Sequence, residues 1–159
     1  MLRTSRCIIR NIQDSDEIFY FQLQKNKKIR EFLWWIQSDE HIASRFLKML
    51  WNDSLYWIVI RNDTNEKVWI ISVDSYYETG WKELSYEFDN SVWWEWYAFE
   101  SISEVLKFIS NELGVSNILA ETQSKNTKSI VLLDKLWFKF KEEAIRHWEK
   151  QKVYTITNL

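Results

Sequence analysis

A strand followed closely by a long amphipathic helix constrains the fold more than any other feature of this chain. Residues Lys82–Asp89 alternate between apolar and polar side chains, which is the period of a half-buried strand. Apolar residues then recur at helical spacing over Ala98–Leu113, and Gly114 stands where a helix C′ residue is favoured. This unit predicts a sheet with a helix packed against it.

The remaining elements surround this unit in a regular order. Capping and acidic residues predict two helix starts before it, at Asp14–Glu17 and Ser38–Glu40, and a further helix over Asn126–Leu136. The predicted strands are Arg6–Ile12, Leu55–Arg61, Lys67–Ser75, Lys82–Asp89, Asn117–Gln123, Phe138–Ile145 and Gln151–Thr157. The order predicts an α+β fold, with a mixed, mostly antiparallel central sheet and helices on both faces, in a single domain spanning 1–159.

Bulk properties exclude several functional classes. No apolar run reaches the roughly 18 residues that a membrane helix needs, and no secretory signal is visible. Only Cys7, His41 and His147 are available as thiol or imidazole ligands, so no metal is expected. Cys7 is interpreted as a small buried hydrophobe and both histidines as surface residues. The 21 basic and 23 acidic residues intermix, so we expect a cytoplasmic protein with no direct nucleic-acid or membrane partner.

Glycine and tryptophan occur in unusual numbers. The chain has 2 Gly, no Pro and 11 Trp among 159 residues, whereas average usage gives roughly eleven Gly and about eight Pro. The counts of Gly and Trp look exchanged, and the local motifs indicate at which positions Trp stands in place of Gly.

Three local motifs carry a family resemblance. The strand Glu83–Phe88 leads into Trp93–Ala98, and Asn126–Ile130 continues through Leu133–Phe138; the third, the terminal strand pair from Phe138 to Tyr154, is the least specific. Together with the element order, these motifs resemble the GNAT superfamily of acyl-CoA-dependent N-acetyltransferases. The closest likeness is to its branch of ribosomal-protein N-terminal acetyltransferases, and it covers nearly the whole chain.

The resemblance implies acetyl-CoA as cosubstrate, a GNAT-like sheet and no metal. In that family the loop and the following helix N-terminus hold the pyrophosphate of coenzyme A. Free N–H groups and the positive end of the helix dipole do make an anion site where the backbone can approach closely. The cofactor-binding residues implied here are Phe88, Trp94, Glu95, Trp96, Tyr97, Ala98 and Asn126.

The reaction implied is acetyl transfer to a primary amine, on a protein N-terminus or a small molecule. An α-amine with a pKa of about 7.7–8.0 is roughly a quarter neutral near pH 7.4, whereas a Lys side chain near 10.4 is only about one part in a thousand neutral. Glu83 and Glu87 share a strand face, and either is a candidate base acting through water. Glu83 matches a common family position and is placed first, although both residues also fit a solvent-facing role.

A hydroxyl is needed to protonate the departing thiolate. Many relatives have Tyr seven residues after the Asn of the second motif, but this chain has Leu133. Ser129 is therefore the candidate acid, with a helix-packing role as the alternative. Asn126 fits both a helix N-cap and a cofactor contact. Backbone N–H groups near Leu84–Phe88 are expected to polarise the thioester carbonyl.

Several tryptophans stand where relatives have Gly. They are Trp69, Trp94, Trp96, Trp137 and Trp148. Our hypothesis is that the source organism reads UGA as Gly, and that this sequence was written with Trp at those codons. If the tryptophans are real, a large ring at 94 or 96 obstructs the phosphate site. The alternative function is then a catalytically inactive GNAT-fold interaction module with weakened cofactor affinity.

Overall fold

A computed structural model describes residues 1–33, 37–51, 55–77, 80–88, 95–146 and 148–159. Its helices are α1 (Glu17–Lys25), α2 (Asp39–Trp51), α3 (Glu95–Leu113) and α4 (Thr127–Lys135). Its strands are β1 (Leu2–Arg3), β2 (Cys7–Asn11), β3 (Leu55–Arg61), β4 (Lys67–Ser75), β5 (Lys82–Phe88), β6 (Asn117–Gln123), β7 (Lys139–Arg146) and β8 (Glu149–Thr157). Short 3-10 turns occupy Asp14–Asp16 and Ile29–Phe32.

The strands of the described chain form one sheet in the order β1-β2-β3-β4-β5-β6-β8-β7. Every neighbouring pair is antiparallel except β5 and β6, which run parallel. The parallel pair is the one joined by a long crossover that contains α3, as parallel pairing requires. The predicted α+β class with a mixed, mostly antiparallel sheet is confirmed.

Helices cover both faces of this sheet, as predicted. On one face α3 and α4 bury residues such as Ile102 and Leu133 against Ile71 and Leu84 of the strands. On the other face α1 and α2 bury Tyr20, Phe46 and their neighbours against the alternate residues of β3 and β4. Each fully buried Leu or Ile contributes about 1.5–3 kcal/mol through the area it removes from water. Cys7 is fully buried in the first of these clusters, as expected.

The predicted strands Leu55–Arg61, Lys67–Ser75 and Asn117–Gln123 have the bounds of β3, β4 and β6. The strands of the last hairpin were predicted too short, because pairing continues to Arg146 and Glu149. A turn over 147–150 is therefore wrong. The prediction also omitted β1 and extended α4 by its two cap residues. Asp89, at the predicted end of the central strand, lies outside the described residues.

A buried ion-pair network fixes the start of α1. The fully buried Asp16 carboxylate accepts hydrogen bonds from the Arg10 guanidinium at 2.7 and 2.8 Å and from the Gln13 backbone N–H at 2.8 Å. Lys67 Nζ lies 2.7 Å from the same carboxylate. Burial alone would raise the pKa of Asp16, but these donors hold it below its ordinary value. The network ties α1 to β2 and β4.

No helix in the described part of the chain is long and apolar enough to cross a membrane.

Candidate active site

The sheet opens between β5 and β6. These two strands pair only at Lys82 with Ile118 and at Glu83 with Leu119, and they diverge beyond that point. The edge of β5 from Leu84 to Phe88 that faces β6 therefore has no ladder partner within the described residues. Backbone N–H and C=O groups on such an edge can bind an extended ligand as an added strand would.

Two adjoining cavities occupy this opening. One, of about 280 Å3, extends over Glu87 and Phe88 toward Lys28, Lys125 and Lys128. The other, of about 170 Å3, extends toward Glu83 and Glu121. Both are lined by Phe32, Leu33, Tyr86, Asn126 and Ser129. We call the combined space the cleft, with a lysine-bearing end and a carboxylate-bearing end.

Two carboxylates, Glu83 and Glu121, line the carboxylate-bearing end, and a third, Asp74, is adjacent on β4. Asp74 pairs with Glu83 across β4 and β5, and Glu121 lies two residues beyond the partner of Glu83 on β6. Asp74 accepts a 2.7 Å hydrogen bond from Tyr56 Oη. Glu121 is paired with Arg146 at 2.9 Å and accepts a hydrogen bond from Tyr76 Oη at 3.1 Å. Two of the three carboxylates are thus engaged with the protein itself.

The third carboxylate, Glu83, has a perturbed pKa. Burial raises the pKa of Glu83, the negative charges of Glu121 and Asp74 raise it further, and Arg146 partly opposes them. A carboxylate whose pKa is shifted toward neutrality holds a proton more strongly, which suits it to accept one from an ammonium ion.

Glu87 lies on the same face of β5 but in a different environment. Its carboxylate accepts a hydrogen bond from the buried Gln24 amide. Arg30 donates to Gln24 Oε1 at 2.8 Å and lies 3.7 Å from Glu87. Glu87 therefore ties α1 and the Ile29–Phe32 turn to β5. The sequence offered both glutamates as candidate bases with Glu83 first, and this network gives Glu87 buried partners on α1 and in the Ile29–Phe32 turn.

Ser129 lies in the first turn of α4, where Asn126 caps the helix. The Asn126 side chain accepts a 3.2 Å hydrogen bond from the Ser129 backbone N–H, so the N-cap interpretation of Asn126 is confirmed. Ser129 is buried, and its Oγ lies 2.8 Å from the phenol oxygen of Tyr86 on β5. Both hydroxyls line the cleft.

The described side chains in the first turn of α3 lie at the surface or in the core. Trp96 is exposed, with Lys135 Nζ 5.7 Å from its ring centre, and Tyr97 packs on Trp69 with a ring separation of 6.0 Å. Ala98 is buried in the core. None of these three is among the described residues that line the cleft. Trp94 and the side chain of Glu95 lie outside what is described.

Among the predicted cofactor-binding residues that the structure describes, Phe88 and Asn126 line the cleft. Phe88 lines its lysine-bearing end and is held by Trp69 and Tyr86, with ring separations of 5.4 and 4.9 Å. The structure thus brings together Glu83, Phe88, Asn126 and Ser129 around one opening.

Comparison with known proteins identifies the family. Residues 6–139 match the model of the acetyltransferase (GNAT) domain, which is well over half of the chain. The chain belongs to the GNAT family of acetyltransferases. It is an acetyl-CoA-dependent N-acetyltransferase, as the motifs of its sequence predicted.

Individual relatives agree with this assignment. The chain is 28% identical over 159 residues to the uncharacterized N-acetyltransferase YoaA of Bacillus subtilis, covering 95% of this chain and 89% of YoaA. A spermidine N-acetyltransferase from Vibrio cholerae, solved with CoA and spermine, superposes with a TM-score of 0.85 at 13% identity, covering 98% and 97% of the two chains. A ribosomal-protein-S5-alanine acetyltransferase from Vibrio fischeri superposes with a TM-score of 0.81 at 14% identity, covering 99% and 96%. These two structures confirm the GNAT fold.

Two of the tryptophans that the resemblance places at glycine positions occupy left-handed backbone. Trp137 has φ 67° and Trp148 has φ 70°, a region that residues with a Cβ rarely adopt. At Trp137 the reason is a Schellman cap of α4: Phe138 N–H bonds to the Leu133 carbonyl at 3.0 Å and Trp137 N–H to the Asp134 carbonyl at 3.1 Å. The C′ position of that motif is usually Gly.

Trp69 differs from these two tryptophans. It is buried in β4, and its indole N–H donates a 3.1 Å hydrogen bond to Ser101 Oγ. The structure therefore accommodates a tryptophan side chain at position 69, whereas the backbone conformation at positions 137 and 148 favours Gly.

Sequence reasoning located one part of the site only as a segment and missed one side chain. Phe32 and Leu33 line both cavities and fall within the segment of about Ile29–Glu40 that the resemblance places at the acceptor, but no charge pattern or regular period there singled them out. Tyr86 was assigned only to the apolar face of its strand, and the alternation gave no indication that its hydroxyl reaches Ser129. No group of three or more His, Cys, Asp or Glu that could hold a metal occurs among the described residues.

Proposed function

We propose that this enzyme transfers the acetyl group of acetyl-CoA to a primary amine, with Glu83 as the base and Ser129 as the acid. The observation that carries the proposal is the separation of the two groups along one cleft. A carboxylate with a raised pKa lies at one end, and a capped helix N-terminus with a buried hydroxyl lies beside it. The thioester would lie between them, along the unpaired edge of β5.

The lysine-bearing end suits the cofactor. Lys28, Lys125 and Lys128 surround the larger cavity, and positive charge there attracts the phosphates of coenzyme A. We infer that the pantetheine arm runs along Leu84–Phe88, whose free backbone groups bind it and polarise the thioester carbonyl. The N-terminal N–H groups of α3 would contact the pyrophosphate.

The carboxylate-bearing end suits a cationic acceptor. Asp74, Glu83 and Glu121 are opposed there by Arg146, so the surroundings favour an ammonium ion over a neutral or anionic group. Glu83 would take the surplus proton of the amine, directly or through one water. Because an α-amine is already partly neutral near pH 7.4, we infer that a polypeptide N-terminus is the acceptor needing least assistance. Small polyamines are the other acceptor class.

The test is a panel of amines with release of the CoA thiol as readout. It is run on the printed sequence and on a triple-glycine variant carrying Trp94→Gly, Trp96→Gly and Trp137→Gly. We expect turnover with peptides that have a free N-terminus and little with the same peptides after N-terminal blocking. Turnover with spermidine but not with peptides would reassign the acceptor class.

Binding is measured separately from turnover. Ligand that binds only the folded state raises its stability by mass action, by about 2.7 kcal/mol at one hundred times the Kd. We expect millimolar acetyl-CoA to raise the melting temperature of the triple-glycine variant more than that of the printed sequence. No shift in either chain would contradict the enzyme proposal and support the inactive interaction module.

A further inference from the structure

Tyr86 presents a phenol inside the cleft that the proposed mechanism has not used. Its oxygen lies 2.8 Å from Ser129 Oγ, across the opening between β5 and α4. Both side chains line both cavities of the cleft. The pair joins β5 to α4, and its geometry is set by the protein because each of the two residues is held by its own neighbours.

The surroundings fix both members of the pair. Ser129 is 5% exposed, and its backbone N–H bonds to the Asn126 cap. The Tyr86 ring packs on Phe88 with a centroid separation of 4.9 Å. Leu133, where a helix-borne phenol would otherwise stand, is fully buried in the core and has no hydroxyl to offer. The phenol nearest to Ser129 therefore comes from the strand instead of the helix.

Burial also sets the protonation state of Tyr86. It raises the pKa of the phenol well above its ordinary value, although the hydrogen bond with Ser129 partly opposes this. The phenol therefore keeps its proton throughout the physiological range and can act as a hydrogen-bond donor. If Tyr86 donates to Ser129 Oγ, the Ser129 hydroxyl hydrogen is free to point at another acceptor in the cleft.

We propose that Tyr86 is a positioning residue that completes a two-hydroxyl proton relay, Tyr86 to Ser129 to the sulfur of the departing coenzyme A. The inference rests on the proposed function, since it needs a thioester in the cleft.

The proton balance of the step is as follows. The ammonium first loses one proton to Glu83 and from there to water, and the neutral amine nitrogen then forms a bond to the acetyl carbon. The nitrogen releases a second proton by the same route, and the C–S bond breaks with its electron pair going to sulfur. The sulfur takes the Ser129 proton, Ser129 takes the Tyr86 proton, and one of the two protons released to water returns to the phenol, so that the products are the amide, the CoA thiol and one proton. No oxidant or further reactant is needed.

The experiment compares Tyr86→Phe, Ser129→Ala and the double variant. The parent protein is either the chain with all its tryptophans or the triple-glycine variant, whichever turns over acetyl-CoA. We expect Tyr86→Phe to lower kcat about 10- to 100-fold with the KM for acetyl-CoA changed less than about twofold, and Ser129→Ala to lower kcat about 100-fold. Because the two residues act in series, the double variant should be no slower than Ser129→Ala alone.

Tyr154→Phe is the matched control. Tyr154 is a buried tyrosine that packs edge-to-face on Phe140 and is not among the described residues lining the cleft. Its variant should retain the kcat of the parent. A second readout is the pKa of the thiol in bound coenzyme A, followed by thiolate absorbance. A hydroxyl donor lowers that pKa, so Tyr86→Phe should raise it.

The outcomes separate the two proposals. Three results would overturn the relay while leaving acetyl transfer intact. They are a rise in the KM for acetyl-CoA as large as the fall in kcat, losses of kcat that multiply in the double variant, and a thiol pKa that Tyr86→Phe leaves unchanged. Absence of turnover in both parents would overturn the proposed function and the relay with it.

Discussion

The backbone at Trp148 offers a test that depends on one dihedral angle. Trp148 has φ 70° in the β7–β8 loop, and its side chain is 98% exposed. Removing the indole therefore costs almost no packing, and replacement by Ala or by Gly differs only in the Cβ. We predict that Trp148→Gly is more stable than Trp148→Ala.

The size of the difference follows from two opposing contributions. A left-handed backbone costs a residue with a Cβ about 1–2 kcal/mol. Gly loses about 0.5–1 kcal/mol more conformational entropy on folding than Ala does. The net preference is about 1 kcal/mol in favour of Gly, which corresponds to a melting temperature roughly 2–4 °C higher in a chain of this length.

Urea and thermal unfolding of the two variants measure this difference. The matched control is Trp51, which is 84% exposed and ends α2. Inside a helix Ala is favoured over Gly by up to about 1 kcal/mol, and at the last helical residue this preference is smaller, so at Trp51 we expect no stabilisation of the Gly variant over the Ala variant. If Trp148→Gly is no more stable than Trp148→Ala, the argument that this backbone calls for Gly is refuted.

Four further predictions concern charge and coding. Asp16→Asn should lower the free energy of unfolding at pH 7 by about 2–3 kcal/mol, because Arg10 and Lys67 lose their buried partner. Since folding lowers the pKa of Asp16, its contribution is present above the unfolded pKa near 3.9 and is lost on acidification, so a stability titration of the variant should be flatter below about pH 4. Because folding raises the pKa of Glu83 and Arg146 opposes that rise, the acidic limb of kcat/KM should lie above the ordinary glutamate value near 4.3, and Arg146→Gln should move it to higher pH. Glu87→Gln should reduce stability in urea while keeping the turnover of the folded enzyme, since Glu87 bonds to Gln24 and Arg30; a loss of turnover as large as that of Glu83→Gln would contradict the division between the two glutamates. Sequencing the open reading frame should find UGA at 137 and 148, and UGG at both would contradict the codon hypothesis.

Much of the fold was predictable because apolar residues recur at regular strand or helix spacing along the chain. The alternation in β5 and the stripe from Ala98 to Ile109 each bury one face, although Leu113 at the end of the predicted stripe is exposed, and the sheet covered by helices follows from the order of such elements. The first and last residues of the strands were harder to predict. The Arg146–Glu149 pair extends the last hairpin past the polar residues that were interpreted as a turn, because strand ends depend on pairing with a neighbour as well as on composition.

The site was predictable where chemistry depends on residue type and spacing. The Asn126 and Ser129 spacing fits a helix cap, and the structure has that cap. The resemblance placed Glu83 ahead of Glu87, but the contacts that engage Glu87 could not be predicted, because Gln24 and Arg30 are distant in sequence and come from elements with no pattern pointing to β5. Contacts between segments far apart in the chain are set by tertiary packing.

The central claim is that Glu83 is the base for acetyl transfer, so replacing its carboxylate is the most direct test. The measurement is the rate of CoA thiol release at pH 7.5, with acetyl-CoA and a peptide amine both saturating, for the parent and for Glu83→Gln. The account predicts a fall of about 10²–10⁴-fold, with the melting-temperature shift caused by acetyl-CoA unchanged. Because burial raises the pKa of Glu83, the neutral variant should also unfold no earlier than the parent at this pH. A Glu83→Gln enzyme that binds acetyl-CoA and retains the parental rate would contradict the account.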